Sequence, residues 1–429
     1  MATLQPTLFR ALGNRNYRLY FFGQGVSLIG TWMQQIALSW LIYRLTHSEF
    51  MLGLTAFTSQ IPSFMAMPVA GALADRMNRH KLLILTQTLA MIQAFILAWL
   101  TLAGVIHIGL IIALGVMIGL ISALDMPTRQ SFLIEMIEDP KHLNNAIALN
   151  SSLMNAARLI GPAIAGFLVA WVGEGYCFLI NGLSYIAVIM ALCAMNVKPR
   201  LQEARKAPLL HHIRDGFSYA FGFLPIRSLI LYMAVISLVG MPYMVLMPVY
   251  AKDIFHGNAQ TLGMLMGAAG SGALVGALCL ANRKNVLGLG NWIIAASGTF
   301  SLGIIAFSFS HFLPLSLLIL TAVGFGMMLQ LGAINIVLQT LVEEDKRGRV
   351  MSLFTMAFMG MAPIGSLMAG ALAQKIGVST TLFGSGIICL MAALWMLWHI
   401  PKIREAALPV YIAKGIIDEI PAPIPVTET

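Results

Sequence analysis

Apolar residues along this chain fall into twelve long runs separated by short polar connections, at 17–43, 50–74, 83–104, 108–128, 144–172, 175–196, 227–250, 259–281, 286–309, 313–338, 350–374 and 379–399. Each run reaches the roughly twenty residues that a helix rising 1.5 Å per residue needs to cross a hydrocarbon core of about 30 Å. The pattern predicts an all-α integral membrane protein with twelve transmembrane helices. Charge alternates between the connections. One set carries Arg10, Arg15, Arg18, Arg76, Arg79, Lys81, Arg129, Lys141, the cluster from Lys198 to Arg227, Arg283, Lys284, and Lys346 to Arg349; the other carries only Arg44, Lys252 and Lys375. Basic residues are retained on the cytoplasmic side, so both termini are expected there.

Composition excludes the soluble alternative: 59% of residues are hydrophobic, 10% are charged, and mean hydropathy is +0.83, whereas soluble domains carry about 25% charged residues. The formal charge of +9 is spread over short loops, so it reads as a topology determinant and no nucleic-acid partner is expected. The basic N-terminus leads directly into a full-length span without a small-residue cleavage site, so no signal peptide is expected. Cys177, Cys193, Cys279 and Cys389 stand singly inside the apolar runs without metal-ligand spacing. They are expected to pack as small apolar residues, with no metal and no cofactor.

The longest connection, 197–226, is rich in Lys, Arg, Pro and His and divides the chain into an N-terminal six-helix bundle, 1–196, and a C-terminal one, 227–400. The halves repeat weakly: Gly71-Ala72-Leu73 has a counterpart in Gly276-Ala277-Leu278, and Gly161-Pro162 in Ala362-Pro363. Paired halves with a pathway between them are how many transporters are built. The cytoplasmic tail, 401–429, mixes charge with Pro421, Pro423 and Pro425 and is expected to be partly disordered, with little fixed structure after about residue 418.

The turn between the second and third runs reads GALADRMNRHK, Gly71 to Lys81. Gly71 would let helices approach closely, and Asp75 would accept hydrogen bonds from guanidinium groups or from a helix N-terminus. This stretch resembles the signature of the major facilitator superfamily in Gly71, Leu73, Asp75, Arg76 and Arg79. The resemblance implies a two-bundle major facilitator fold in which Asp75 and its basic neighbours lock the cytoplasmic side of an outward-open state. Asn78 stands where that family has glycine and would tolerate the same left-handed backbone. Leu280 replaces the acid in the second half, so the resemblance implies a lock resting mainly on Asp75. Gly161, Pro162 and Gly166 on the fifth run are similar to the glycine-proline motif of exporters of that superfamily; an ordinary kinked packing helix would show the same residues. Phe9 to Gln24, Gly30 to Thr46 and Pro127 to Gly166 are similar to the enterobactin-exporter-like branch, which exports siderophores, macrolides and related compounds.

Polar side chains inside membrane helices are costly, so their placement is informative. Gln24, Ser27, Thr31 and Gln35 recur on one face of the first run, with Gln34 beside it; Ser151, Asn155, Arg158 and Pro162 do so on the fifth, and Ser352, Thr355, Met359 and Ser366 more faintly on the eleventh. These faces either line a cavity between the halves or make polar contacts between packed helices. Arg158 falls near mid-depth, where it either attracts an anionic or acceptor-rich substrate or pairs with Asp125. Asp125 and Arg129, four apart, are expected to form an ion pair near the cytoplasmic mouth, in the gate with Gly71, Asp75, Arg76 and Arg79. No acid falls within the first, seventh, eighth, tenth or eleventh runs, and only Asp75 and Asp125 could carry protons across.

No HExxH, GxSxG or Walker sequence occurs, so no enzyme is expected. The residues and the resemblance together imply a monomeric secondary exporter of the bacterial inner membrane, moving a siderophore-like or drug-like small molecule outward by alternating access, driven by the proton motive force. Lysophospholipid flipping on the same fold, or a membrane scaffold or enzyme that has lost transport, are the alternatives.

Overall fold

The structure, a computed structural model, describes residues 7–137, 142–197, 217–283 and 285–417, apart from the side chains of residues 7–9, Pro68, Ala72, Asp75 and Asn144. Most of the 197–226 connection and the tail from 418 therefore lie outside the described residues. All regular structure described is helical. After a 3-10 turn, Thr7–Gly13, come α1 (Arg15–Thr46), α2 (Glu49–Arg76), α3 (Arg79–Leu102), α4 (Ile108–Met136), α5 (Leu143–Val172) and α6 (Glu174–Cys193). After a short helical stretch at 217–222 come α7 (Leu224–Ile254), α8 (Ala259–Ala281), α9 (Leu289–Ser308), α10 (Leu313–Leu341), α11 (Arg347–Ile376) and α12 (Val378–Ala413). Ten of them, α3 to α12, are long and apolar enough to cross a membrane. The chain is a multi-pass membrane protein. In α1, 32 residues long, the polar positions from Gln24 to Gln35 lower the hydropathy.

Side-chain caps set several helix starts. Asn14 Oδ1 accepts the amides of Asn16 and Tyr17 at 3.0 and 3.3 Å, and Ser48 Oγ accepts that of Met51 at 3.3 Å. Asn78 has an extended backbone and accepts the Lys81 amide at 3.1 Å. This corrects the expected left-handed stand-in for glycine: α2 and α3 follow so closely that the connecting asparagine is needed to cap the donor-rich start of α3.

Prolines reshape α7 and α11. Pro242 and Pro248 each lack an amide donor, and α7 passes through a π turn (Ile236–Gly240), a 3-10 turn (Met241–Met244) and a second π turn (Tyr250–Ile254) around them. The π turn Met356–Gly360 lies just ahead of Pro363 in α11, and Ser237 Oγ of α7 donates to the Phe358 carbonyl within it. Two helix ends differ from the sequence expectation. α7 continues past 250 and so includes Asp253, an acid the apolar run had excluded; α12 continues past 399 through Pro401 and Pro409, with Ile400, Ile403 and Ala407 buried. Lys414 Nζ then donates to the carbonyls of Thr340 and Val342 at 2.7 and 3.0 Å, tying the end of α12 to the end of α10.

α1 packs on α5 and α6, α3 on α4 and α6, and α2 on α4; among the later helices, α10 packs on α8 and α9, and α9 on α12. Two seams join the early helices to the late ones, α2 against α11 and α5 against α8. Large apolar side chains point outward, among them Trp171 at the end of α5, 89% exposed, and Trp398 within α12, 79% exposed.

Candidate functional site

Both seams are tightest at one end of the molecule, where α2 and α8 begin and α5 and α11 finish. We call this the far end; the Arg- and Lys-rich turns lie at the other, basic end. A Cβ on Gly370 would sit 3.0 Å from the Gly53 Cα, and one on Gly166 would sit 3.0 Å from the Gly263 Cα. Only glycine allows such backbone contact. Further along, Gly360 meets the Phe64 ring and Gly270 meets the Arg158 carbonyl. The far end is also fastened by hydrogen bonds. The Tyr43 hydroxyl donates to the Asp253 carboxylate, Lys252 Nζ lies 5.9 Å over the Tyr43 ring, and Ser48 Oγ donates to Gln374 Oε1 at 2.6 Å.

Toward the basic end the seams part. Gly71 has nothing within 4 Å of where a Cβ would lie, so the close helix approach expected of it is absent from this conformation. On the facing helices Ser151, Met154, Ser352 and Met356 are exposed. Of the remaining gate residues, Arg76 is exposed, the Asp75 side chain lies outside the description, and Arg79 is buried and bonds Glu135 of α4 at 2.5 Å. Asp125 and Arg129 pair within α4. The Thr86 hydroxyl and Gln87 amide of α3 also donate to Asp125 Oδ1, at 2.9 and 2.6 Å. Tyr20 and Tyr185, from α1 and α6, lie within electrostatic reach of the pair. The pair is thus enclosed by α1, α3 and α6 rather than set on the α2–α11 seam.

The polar face of α1 divides. Gln24 and Ser27 are buried, where Gly23 and Gly25 bring α1 onto α6 and α5, so the expected opening of these two to a cavity is not found. Gln34 joins Gln93 of α3 at 3.2 Å and Asn181 of α6 at 2.7 Å, a packing contact. Thr31 and Gln35 are exposed. On α5, Ser151 is exposed and Asn155 half-buried, its amide donating to the Ser151 carbonyl at 2.9 Å. Thr355 and Met359 of α11 are half-buried and Ser366 is buried, its hydroxyl turned back to Ala362. Gly161 packs on α1 against the Trp32 Cβ and the Ile29 carbonyl, with Pro162 buried beside it.

Arg158 lies about 22 Å along α5 from Leu143. Asp125 does not reach it. Its guanidinium sits 5.6 Å from the Trp32 ring centroid, and Nη2 approaches Met244 Sδ of α7 at 3.7 Å. No acid among the described residues pairs with it. Beyond it toward the far end lies a chamber of about 130 Å³. Gln35, Ser39, Thr55, Ser59 and Gln60 of α1 and α2 form one wall, Met244, Val245, Leu262 and Met266 of α7 and α8 the other. The sequence reading held Gln35 but missed the rest. Ser39 extends the four-residue spacing of Thr31 and Gln35, and Thr55 and Ser59 repeat that spacing on α2, which is the signal that could have found them.

A family model described as transmembrane secretion effector matches residues 7–412. The staphyloferrin A transporter of Staphylococcus aureus is 27% identical over 377 residues, covering 86% of this chain and 94% of that protein. The multidrug efflux pump Tap of Mycobacterium tuberculosis is 24% identical over 399 residues, covering 90% of this chain and 92% of its own. A bacterial homologue of the iron transporter ferroportin, solved in an inward-facing state, superposes with a TM-score of 0.70 at 18% identity, covering 89% of this chain and 98% of that one. Family and relatives are transporters, not enzymes. Two helix seams, a cavity between them and a match over nearly the whole chain lead to one conclusion: the protein belongs to the transmembrane secretion effector family of major facilitator transporters.

Proposed function

We propose that the chain exports a small molecule across the bacterial inner membrane by alternating access, driven by proton entry, and that the structure is its inward-open state. In this reading all twelve helices span. Residues 1–196 and 224–413 form two rocking bundles, joined by the connection between them and followed by the tail, and the protein works as a monomer with both termini cytoplasmic. The observation that carries it is the opposite condition of the two ends: glycine contacts and the Tyr43–Asp253 bond close the far end, while Gly71 and Ser151 stand free at the basic end. The basic loops support putting that open end in the cytoplasm. The efflux pump and the siderophore transporter among the relatives support outward movement of a siderophore-like or drug-like compound.

Inside-out vesicles test this with an anionic dye, carboxyfluorescein, and a cationic one, ethidium. Accumulation of either that collapses with the pH gradient is expected. Accumulation indifferent to the gradient would remove proton coupling, and exit from preloaded vesicles without accumulation would reverse the direction. Asp75→Asn is expected to reach the membrane at normal abundance and to lose most net efflux; unchanged efflux would end the gate assignment.

A further inference from the structure

The chamber and Arg158 together point to a substrate class. We propose that they form one two-part site for an organic anion carrying a ring-sized apolar group, with the acid at Arg158 and the ring in the chamber. This rests on the transport reading for its purpose, but not for its geometry.

The first part is the charge. The groups that hold the Arg158 guanidinium are neutral and soft: the Trp32 ring at 5.6 Å and the Met244 thioether at 3.7 Å, with the Tyr243 phenol nearby. Such contacts orient the planar fork without cancelling its charge or using up its N–H donors. The contrast lies within the same bundle, where Arg129 is neutralised by Asp125. A cation left unpaired near mid-bilayer is tolerated only where water reaches it. A carboxylate arriving from the open basic end would replace that water with paired hydrogen bonds.

The second part is the chamber. Its lining contains no charged side chain. Met244 belongs to both parts, touching Arg158 and lining the chamber, so the two are continuous. A volume of about 130 Å³ suits one ring system, since an apolar cavity of about 150 Å³ accepts benzene. The methionines can reshape around an aromatic face, while Ser39, Thr55, Ser59 and Gln60 offer donors and acceptors to ring substituents on the opposite wall. The Tyr43–Asp253 and Ser48–Gln374 bonds close the far end beyond it.

The test is equilibrium binding to the full-length protein in detergent, which needs neither a gradient nor a direction of transport. The probes are benzoate, its neutral analogue benzyl alcohol and its cationic analogue benzylammonium. Benzoate is expected to bind at least about tenfold more tightly than the alcohol, the strength of a charge-assisted hydrogen bond. Arg158→Met should abolish that preference and Arg158→Lys should keep part of it. Gly115→Val should fill the chamber and weaken benzoate about tenfold, because its Cβ would meet Ser59 Cβ at a comfortable 3.5 Å and its methyl groups the cavity. Equal binding of acid and alcohol, a preference for the cation, or a preference that survives Arg158→Met would each overturn the proposal. If binding follows this order while vesicles accumulate nothing, the transport reading fails and the site stands. Vesicle transport without the preference would do the opposite.

Discussion

Two arginines in the first bundle show how surroundings decide what a charge does. Arg129 is paired with Asp125, which also receives Thr86 and Gln87, so its charge is spent on holding α3 to α4. Arg158 touches only neutral groups among the described residues. Asp125→Asn is expected to lower stability by about 3 kcal/mol, since it strands a largely buried cation, and adding Arg129→Met should recover most of that loss. Arg158→Met should change stability by less than about 1 kcal/mol. Thermal unfolding in detergent checks all three, and a stability loss for Arg158→Met as large as that for Asp125→Asn would give Arg158 a structural role. The Asp125–Arg129 pair was legible from its four-residue spacing. Its partners on α3 were not, because sequence spacing carries no information about a neighbouring helix. Asp253 was hidden differently: hydropathy falls after Tyr250, while the backbone continues through a π turn that keeps the acid within α7.

At the level of the helices, the seams rest on glycine. A Cβ on Gly263 would lie 2.8 Å from both the Gly166 Cα and the Pro162 carbonyl, and neither backbone group can yield. Gly267, one turn on, has nothing within 4 Å. Gly263→Ala should therefore drive α8 away from α5 at the far end, while Gly267→Ala should be silent. With native cysteines removed and Ser151→Cys installed, thiol labelling from the basic side should slow in the first variant and not in the second; equal rates would separate the seam from the conformational equilibrium. The long apolar runs revealed the helices, but not which of the 39 glycines touch across a seam. The end of α12 was misread for a related reason. Proline marks a helix stop in most sequences, yet the apolar positions Ile400, Ile403 and Ala407 continue at helical spacing beyond Pro401 and bury against the neighbouring helices.

Across the whole molecule, the far end is fastened by few bonds. Tyr43→Phe combined with Gln374→Ala removes the hydrogen bonds that these two side chains make across it, to Asp253, Ser48 and the Phe50 amide. Spin labels at the far-end turns should then report a larger population of long distances, and an unchanged distribution would leave the glycine contacts as the whole closure. Those contacts have a consequence for speed. A transporter that rocks must make and break the same surfaces at every turnover, and ordering a long side chain each time costs up to about 2 kcal/mol in lost rotamer freedom. Gly53, Gly166, Gly263 and Gly370 have no rotamers to lose. In the proposed rocking cycle their surfaces would close without any side chain having to find its place, which would keep the entropic part of the barrier low in both directions.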